Sequence, residues 1–369
     1  MDTSITTNQC RLHYISQRVS RLKCLNKSYH NDFVLFATGS NQSNNRISLW
    51  GVDIKGQTDE PLEISYFPNG GGGVISDLRF VEMRSQPAIV ASDSKGSLTV
   101  IKPNSIPKKY TEVQHRGRHS QQNNTSLDMP EEPSCKLEKV KRWENLHKGG
   151  ITAIDTTYDN EHIVTVGNDG VLNVLSIDSP IPIYTNKKID GLSVHTVRYM
   201  TNNEIITSGV NSVLKFWDIR SSTHQPIKTI RQVQQTQTSP THSIAVHHDQ
   251  THIIATGNAD GYVSLFDFRN SFAIDQNQNH KSHVWEVEFS KSKSNQLFSC
   301  SQDGSVYLYD YNRDNNMTST NIFDLYDKAV TPVVASGLTA SSIDSFDISA
   351  HHLFCVGSSQ SLVIKSLIN

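Results

Sequence analysis

A short pattern returns seven times along this chain, and a repeat of that kind narrows the possible folds more than any other property of the sequence. Each copy is a β-prone run, a Gly or Ser step, a turn of Asn, Asp or Gly, and an alternating strand that ends on an aromatic or aliphatic residue. The copies read FATGSNQSNNRISLW to Trp50, IVASDSKGSLTVI to Ile101, IVTVGNDGVLNVL to Leu175 and IITSGVNSVLKFW to Trp217. They continue as IIATGNADGYVSLF to Phe266, LFSCSQDGSVYLY to Tyr309 and LFCVGSSQSLVIK to Lys365.

The intervals between those final positions run from 42 to 74 residues. A four-stranded propeller blade takes about 40–45 residues, so the longer intervals carry loops. The largest excess falls on residues 102–139, a polar, Pro-containing stretch that cannot bury a face and is expected to be a disordered loop insertion. Asn312 to Thr320 has the same character, and Gly70 to Gly73 reads as a flexible turn before a strand at Val74–Phe80. Period-2 alternation, as in Val263 and Leu265 against Ser264, marks half-buried strands. Asp169-Gly170, Asp260-Gly261 and Asp303-Gly304 mark hairpins, because Asp-Gly accepts the positive φ of a tight turn. A further short strand precedes the pair in Ile151–Asp155, His195–Tyr199, Ser243–Val246 and Trp285–Phe289.

The expected fold is therefore all-β: a single seven-bladed WD-repeat β-propeller over residues 1–369. The seventh copy ends a few residues past its third strand, while Leu12 to Val19 near the N-terminus is β-prone and has no blade of its own. That segment is predicted to supply the missing outer strand of the last blade. Such closure removes open sheet edges.

The remaining chemistry excludes more than it suggests. Thirty-four Lys and Arg against 36 Asp and Glu give a net charge of -2, which argues against a nucleic-acid footprint. Five widely spaced cysteines with no C-x-x-C pair indicate neither a disulfide framework nor a zinc site, and an intracellular, reduced chain is expected. The first ten residues lack the apolar run of a signal peptide, and no stretch is long enough to cross a membrane as a helix. His115 and His119 have helical metal spacing, but their segment has no apolar periodicity and reads as a solvated loop. His247-His248 and His351-His352 are neighbours on strands, facing opposite ways, and no metal is expected at them. Gly70 to Gly73 is not followed by Lys-Ser/Thr, so it is no phosphate cradle. No cofactor, small-molecule substrate or catalytic residue is predicted. An enzyme would need clustered ionisable groups in the channel or on one face, and no such cluster stands out.

In WD repeats the turn Asp joins a network with a His at the blade entrance, a Ser or Thr and the strand Trp. Candidates for the His are His147, His195, His242 and His283, with Thr165, Ser208, Thr256 and Ser299 on the second strands; only Trp50 and Trp217 keep the Trp. Trp217-Asp218-Ile219-Arg220 and Phe266-Asp267-Phe268-Arg269 are W-D-x-R-like strand ends in successive blades. They resemble the docking signature of WD-repeat substrate receptors for cullin-4 ubiquitin ligases. That resemblance makes Trp217, Asp218, Arg220, Asp267 and Arg269 candidate partner-docking residues. The plainer reading is Asp and Arg capping a strand end.

The whole chain resembles one family more closely. YISQRVSRLK (Tyr14 to Lys23), FATGSNQSNNRISLW, IVTVGNDGVLNVL, IIATGNADGYVSLFDFR, the run from Val284 to Asp310 and SSIDSFDISAHHLFCVG carry the likeness. These segments are similar to the small WD-repeat nucleoporins of the Y-shaped outer-ring scaffold of the nuclear pore. The resemblance implies a structural subunit at the nuclear envelope, bound to other outer-ring nucleoporins including an α-solenoid of the short arm, in pore assembly and nucleocytoplasmic transport. It also implies an association with kinetochores in mitosis. It assigns no binding residues.

Overall fold

The computed structural model describes residues 10–25, 33–42, 44–54, 60–70, 72–106, 135–232, 238–270, 272–311, 328–334 and 341–367. Among them every regular element is a β-strand, and the strands form seven four-stranded antiparallel sheets. The first strand, β1 (Cys10–Tyr14), belongs to the last sheet. Blade 1 is β2 (Val19–Cys24), β3 (Phe33–Ser40), β4 (Arg46–Asp53) and β5 (Leu62–Pro68). Blade 2 is β6 (Ile75–Met83), β7 (Gln86–Asp93), β8 (Leu98–Pro103) and β9 (Leu137–Trp143). Blade 3 is β10 (Ile151–Thr156), β11 (His162–Gly167), β12 (Leu172–Ser176) and β13 (Tyr184–Asn186). Blade 4 is β14 (Val194–Tyr199), β15 (Glu204–Gly209), β16 (Val213–Asp218) and β17 (Lys228–Arg231). Blade 5 is β18 (Thr241–Val246), β19 (Ile253–Asn258), β20 (Tyr262–Asp267) and β21 (Ala273–Gln278). Blade 6 is β22 (Val284–Phe289), β23 (Gln296–Ser301), β24 (Val306–Tyr311) and β25 (Lys328–Val334). Blade 7 is β26 (Ile343–Ser349), β27 (His352–Gly357), β28 (Ser361–Ser366) and β1.

The N-terminal closure is present, with a change of boundary. Cys10 to Tyr14 pair antiparallel with Lys365 to Ser361, and Tyr14 Oη donates to Gln360 Oε1 at 2.7 Å. The expected strand at Leu12–Val19 is in fact divided. Ser16 turns the chain at a φ of 48°, and Val19 already opens β2, the inner strand of blade 1. The polar insertion is also narrower than 102–139. Lys102 and Pro103 close β8, Leu137 to Lys139 open β9, and Cys135 is buried; residues 107–134, with His115 and His119, lie outside the described residues. So do Asn312 to Thr320. The strand expected at Val74–Phe80 runs instead from Ile75 to Met83.

The core sits between blades. Inner strands touch their neighbours in ring order, with β26 against β2 closing the circle. Counted from the start of each inner strand, the fourth residues are Leu22, Leu78, Ile154, Val197, Ile244, Val287 and Phe346, every one of them fully buried. Seven apolar clusters each join two adjacent blades. The one across the seam joins Leu22, Phe36 and Trp50 of blade 1 to Phe354, Val356 and Leu362 of blade 7. Phe36 and Phe354 lie 5.8 Å apart there, centroid to centroid. Since no blade encloses its own core, burial of its apolar faces depends on both neighbours.

The second-to-third strand turns and the outer-to-inner connections share one end of the ring, the upper end. Gly170, Gly261 and Gly304 have φ of 67°, 85° and 79°, as the Asp-Gly signals require. At Gly170 a Cβ would also meet Asp190 O at 2.2 Å. The first-to-second and third-to-outer connections lie at the lower end.

Candidate functional site

Antiparallel pairing leaves one edge of each inner strand facing the central channel, with backbone groups that lack a strand partner. This chain satisfies many of them with carboxylates from the preceding blade. Third-position carboxylates reach the fourth N–H of the next inner strand: Ile154 N donates to Asp77 Oδ2 at 3.0 Å and Phe346 N to Glu286 Oε2 at 3.1 Å. Fifth-position carboxylates reach the sixth N–H: Tyr199 N donates to Asp155 Oδ2 and Cys24 N to Asp347 Oδ2, both at 2.8 Å. Charge-assisted bonds of this kind are about twice as strong as neutral ones.

Cations stand among these carboxylates. Lys23 Nζ is 2.5 Å from Glu286 Oε1 and also donates to Phe346 O at 3.4 Å, tying blades 1, 6 and 7 together. Arg79 lies 3.3 Å from Asp77 and 3.4 Å from Asp155. Burial alone would raise the pKa of Glu286, yet Lys23, then Arg21 and Arg79, hold it down at about 2. The expectation that no ionisable cluster occupies the channel is therefore corrected. The cluster was hidden because its members lie one or two to a strand on five separate inner strands, β2, β6, β10, β22 and β26. The signal that could have found it is alternation within the inner strands, as in RLK at 21–23, DLR at 77–79 and EVE at 286–288.

Below this ring lies a cavity of about 250 Å3 lined by residues including Lys23, Arg79, Arg198, Glu288, Lys291 and Asp347.

At the upper mouth stands a column of rings. His195 and His242 stack with centroids 5.2 Å apart, His242 and His283 at 5.0 Å, and Trp285 lies 4.9 Å from His242. His242 Nε2 and His283 Nδ1 are 3.1 Å apart and share a hydrogen bond. These three histidines are therefore not the network histidines expected at the blade entrances. Each belongs to the channel-facing end of an inner strand or its approach, where the bulge after the first residue turns side chains inward.

His147 does fill the expected role, with Asp169 Oδ1 at 2.9 Å and Thr165 Oγ1 at 2.8 Å. In blade 6 the role falls to His280, which contacts Ser299 Oγ at 2.6 Å, Ser305 Oγ at 2.9 Å and Asp303 at 3.4 Å. Blade 5 uses Gln232, which accepts from Thr256 Oγ1 at 2.8 Å. Trp50 donates to Thr38, and Trp217 to Thr207 rather than to the predicted Ser208, at 2.8 and 2.9 Å.

Burial, then the His195 and His283 rings and Arg21, push His242 down to about 3. The unfolded chain titrates this side chain near ~6.5, so it binds more protons than the folded chain between the two values. Stability is complete above the unfolded value and falls as pH drops through this window, by up to about 1.4 kcal/mol per pH unit. His242→Gln is expected to flatten that slope in urea titrations at about pH 7 and about pH 5. An unchanged slope would place the acid sensitivity elsewhere.

His247, His248 and Asp249 offer three ligand atoms within 4.8 Å of one another. They lie at the turn after β18, where the two rings stack at 4.8 Å instead of facing opposite ways. His247 is already committed: Nδ1 accepts from Asp249 N and Gln250 N at 3.1 and 2.9 Å, and Nε2 donates to Ser294 O at 2.8 Å. A metal would have to displace those bonds.

The docking candidates lie at the lower end of blades 4 and 5. Arg220 binds Asp218 with Nε and Nη2 at 2.9 and 2.8 Å, and its hydrogen bonds hold Asp218 at about 2. Arg269 grips Asp267 in the same way, with Nη2 at 2.5 Å from Oδ2. The outer strand of blade 4 reaches the second of these turns, since Lys228 Nζ donates to Phe268 O at 2.5 Å and to Arg269 O at 3.4 Å. Trp217 is buried, whereas both arginines remain largely exposed. The structure thus brings Asp218, Arg220, Asp267 and Arg269 onto one surface and withdraws Trp217 into the blade.

The chain is 38% identical to "Nuclear pore complex protein nup43" of Dictyostelium discoideum, across 96% of this chain and 99% of that protein. The chain belongs to the Nup43 family. Nucleoporin Nup43 of Mus musculus is 30% identical over 76% of this chain and 69% of its own length; that of Homo sapiens is 29% identical over 82% and 76%. The general model "WD domain, G-beta repeat" matches residues 274–310, which span the outer strand of blade 5 and most of blade 6. Blade 6 has an assembled His280–Ser299–Asp303 network, with Tyr309 in the Trp position. Blade 3 of this Nup43-family propeller also keeps the His147–Thr165–Asp169 network, whereas blade 5 departs from it through Gln232.

Its lower end also exposes apolar side chains on consecutive blades: Tyr158, Ile181 and Ile183 on blade 3, Ile227 on blade 4 and Phe272 on blade 5. Ile183 and Ile227 occupy equivalent places, donating to Val174 O and Phe216 O at the start of each outer strand.

Proposed function

We propose that this WD-repeat nucleoporin is a structural subunit of the outer-ring Y complex of the nuclear pore. Its propeller is a non-enzymatic scaffold held by protein contacts to other outer-ring nucleoporins, including an α-solenoid of the short arm. In that place it supports pore assembly and the passage of protein and mRNA through the nuclear envelope. The observation that carries the reading is likeness to a named nuclear pore protein along almost the full length of both chains. A channel filled with paired charges, and apolar residues exposed on three successive blades, suit a protein that works through its surface. A mitotic association with kinetochores belongs to the same proposal.

Affinity purification of the full chain from native cells tests it. Outer-ring nucleoporins should co-purify and the tagged chain should mark a punctate nuclear rim; their absence under gentle conditions, with diffuse cytosolic signal, would overturn the assignment. Paired arginines on one exposed surface favour a second reading, docking to a cullin-4 adaptor through Asp218, Arg220, Asp267 and Arg269. Arg220→Ala with Arg269→Ala should leave nucleoporin recovery unchanged. Loss of a co-purified cullin adaptor in that variant would establish the docking.

A further inference from the structure

We infer that the lower chamber of the central channel is a binding site for a small zwitterion of the α-amino acid class with an apolar side chain. Its carboxylate would meet Arg198 and Lys291, its ammonium Glu288, and its side chain the wall of Phe80, Tyr199 and Ala245, all of which line the cavity of about 250 Å3.

The first observation is a carboxylate left out of the backbone pattern. Asp155 and Asp347, at the fifth position of their inner strands, each accept the sixth N–H of the next blade. Glu288 holds the fifth position of blade 6, so Ile348 N is its counterpart in blade 7. That N–H instead donates to Asp347 Oδ1 at 2.8 Å. Among the described residues Glu288 has no hydrogen bond or ion pair, although it is only partly exposed. Arg198 donates through Nη1 to Val197 O at 2.9 Å and has no carboxylate partner among the described residues. Half-buried charges without a contact partner are costly; Lys23 and Arg79 attract Glu288 only from farther off, and Glu288 and Arg198 carry opposite signs.

The second observation is the gap between them. Blades 4, 5 and 6 place Arg198, Ala245 and Glu288 at the same ring position, so the small Ala245 separates the two charged groups. The Tyr199 hydroxyl is buried without a hydrogen-bond partner, and the residue is among those that line the cavity. The two unpaired groups select the ligand. The cavity lining holds four cations, Lys23, Arg79, Arg198 and Lys291, and three carboxylates, Asp155, Glu288 and Asp347. A ligand that brings one carboxylate to Arg198 and one ammonium to Glu288 answers both groups, whereas a simple anion or cation would answer only one. The space is below the ~300–1,000 Å3 of drug-sized pockets, which suits a single amino acid.

Calorimetric titration of the full chain with L-leucine and L-phenylalanine tests this, with thermal shift as a second readout. Binding is expected with Kd of about 1 mM or tighter. 4-Methylpentanoate, which lacks the ammonium, and isoamylamine, which lacks the carboxylate, should each bind at least tenfold more weakly. Arg198→Met and Glu288→Gln should each weaken the amino acid at least tenfold. Neither side chain has an ion partner to orphan, so the apo melting temperature should hold. Ala245→Leu fills the gap while keeping both charges and should abolish binding. No binding by either amino acid, wild-type affinity in either charge variant, or equal affinity for 4-methylpentanoate would each overturn the inference. None of these outcomes bears on recovery of nucleoporins, so the two readings fail separately.

Discussion

Replacing Glu286 with alanine is expected to destabilise the folded chain by about 3–5 kcal/mol, the usual cost of orphaning one member of a buried ion pair. The side chain meets Lys23 at 2.5 Å and accepts from Ser345 Oγ at 2.9 Å and Phe346 N at 3.1 Å, so its loss strands an ammonium, a hydroxyl and an amide together. Urea unfolding at neutral pH measures the change as a lower midpoint. A cost within about 1 kcal/mol would mean that water or a rearranged carboxylate replaces it. The double variant Lys23→Met with Glu286→Leu should recover most of the loss, because removing both charges avoids the uncompensated one. Glu286 also sets an acid limit. Its folded pKa of about 2 lies below the unfolded value, so its stabilisation is present above ~4.3 and disappears as pH falls through the folded value.

Deleting residues 1–14 should have an effect of similar size by a different route. The truncation removes β1 and leaves β28 as an open edge with five residues' worth of unpaired backbone. At about 1 kcal/mol net per hydrogen bond the loss is roughly 3–5 kcal/mol, equivalent to a melting temperature lowered by about 4–6 °C. Differential scanning calorimetry gives the number, and an unchanged transition would refute closure by β1. Sedimentation should show concentration-dependent self-association of the truncated chain, since an unprotected edge pairs with other strands.

The fold was legible because its signals are local and repeated. Asp-Gly turns, period-2 strands and a missing fourth strand at the C-terminal copy are all visible in a window of about a dozen residues, and they yield the ring and its closure. Boundaries were less legible where one β-prone run serves two strands. Nothing between Leu12 and Val19 advertises that Ser16 takes a positive φ and sends the chain from blade 7 to blade 1. The channel was nearly invisible. Lys23, Arg79, Asp155 and Glu286 lie tens of residues apart, and only the ring makes them neighbours. The same reason explains His280. His283 was the candidate for blade 6, but the network needs a ring nitrogen within reach of Asp303 and Ser299, and blade geometry chooses the residue three places earlier.

The seam imposes an order of events on synthesis. β1 precedes every other described strand in the chain, yet its partner β28 follows them all; Tyr14 and Gln360 are separated by 346 residues. During translation the early segment must wait, solvated and unpaired, while six blades assemble beside it. Joining ends so far apart carries a large loop-closure entropy if the chain is still open and very little once the intervening blades are in place. The final pairing is therefore a late latch. A nascent chain stalled before residue 361 would hold seven inner strands but an unsealed circle. That latch distinguishes a finished propeller from an unfinished one.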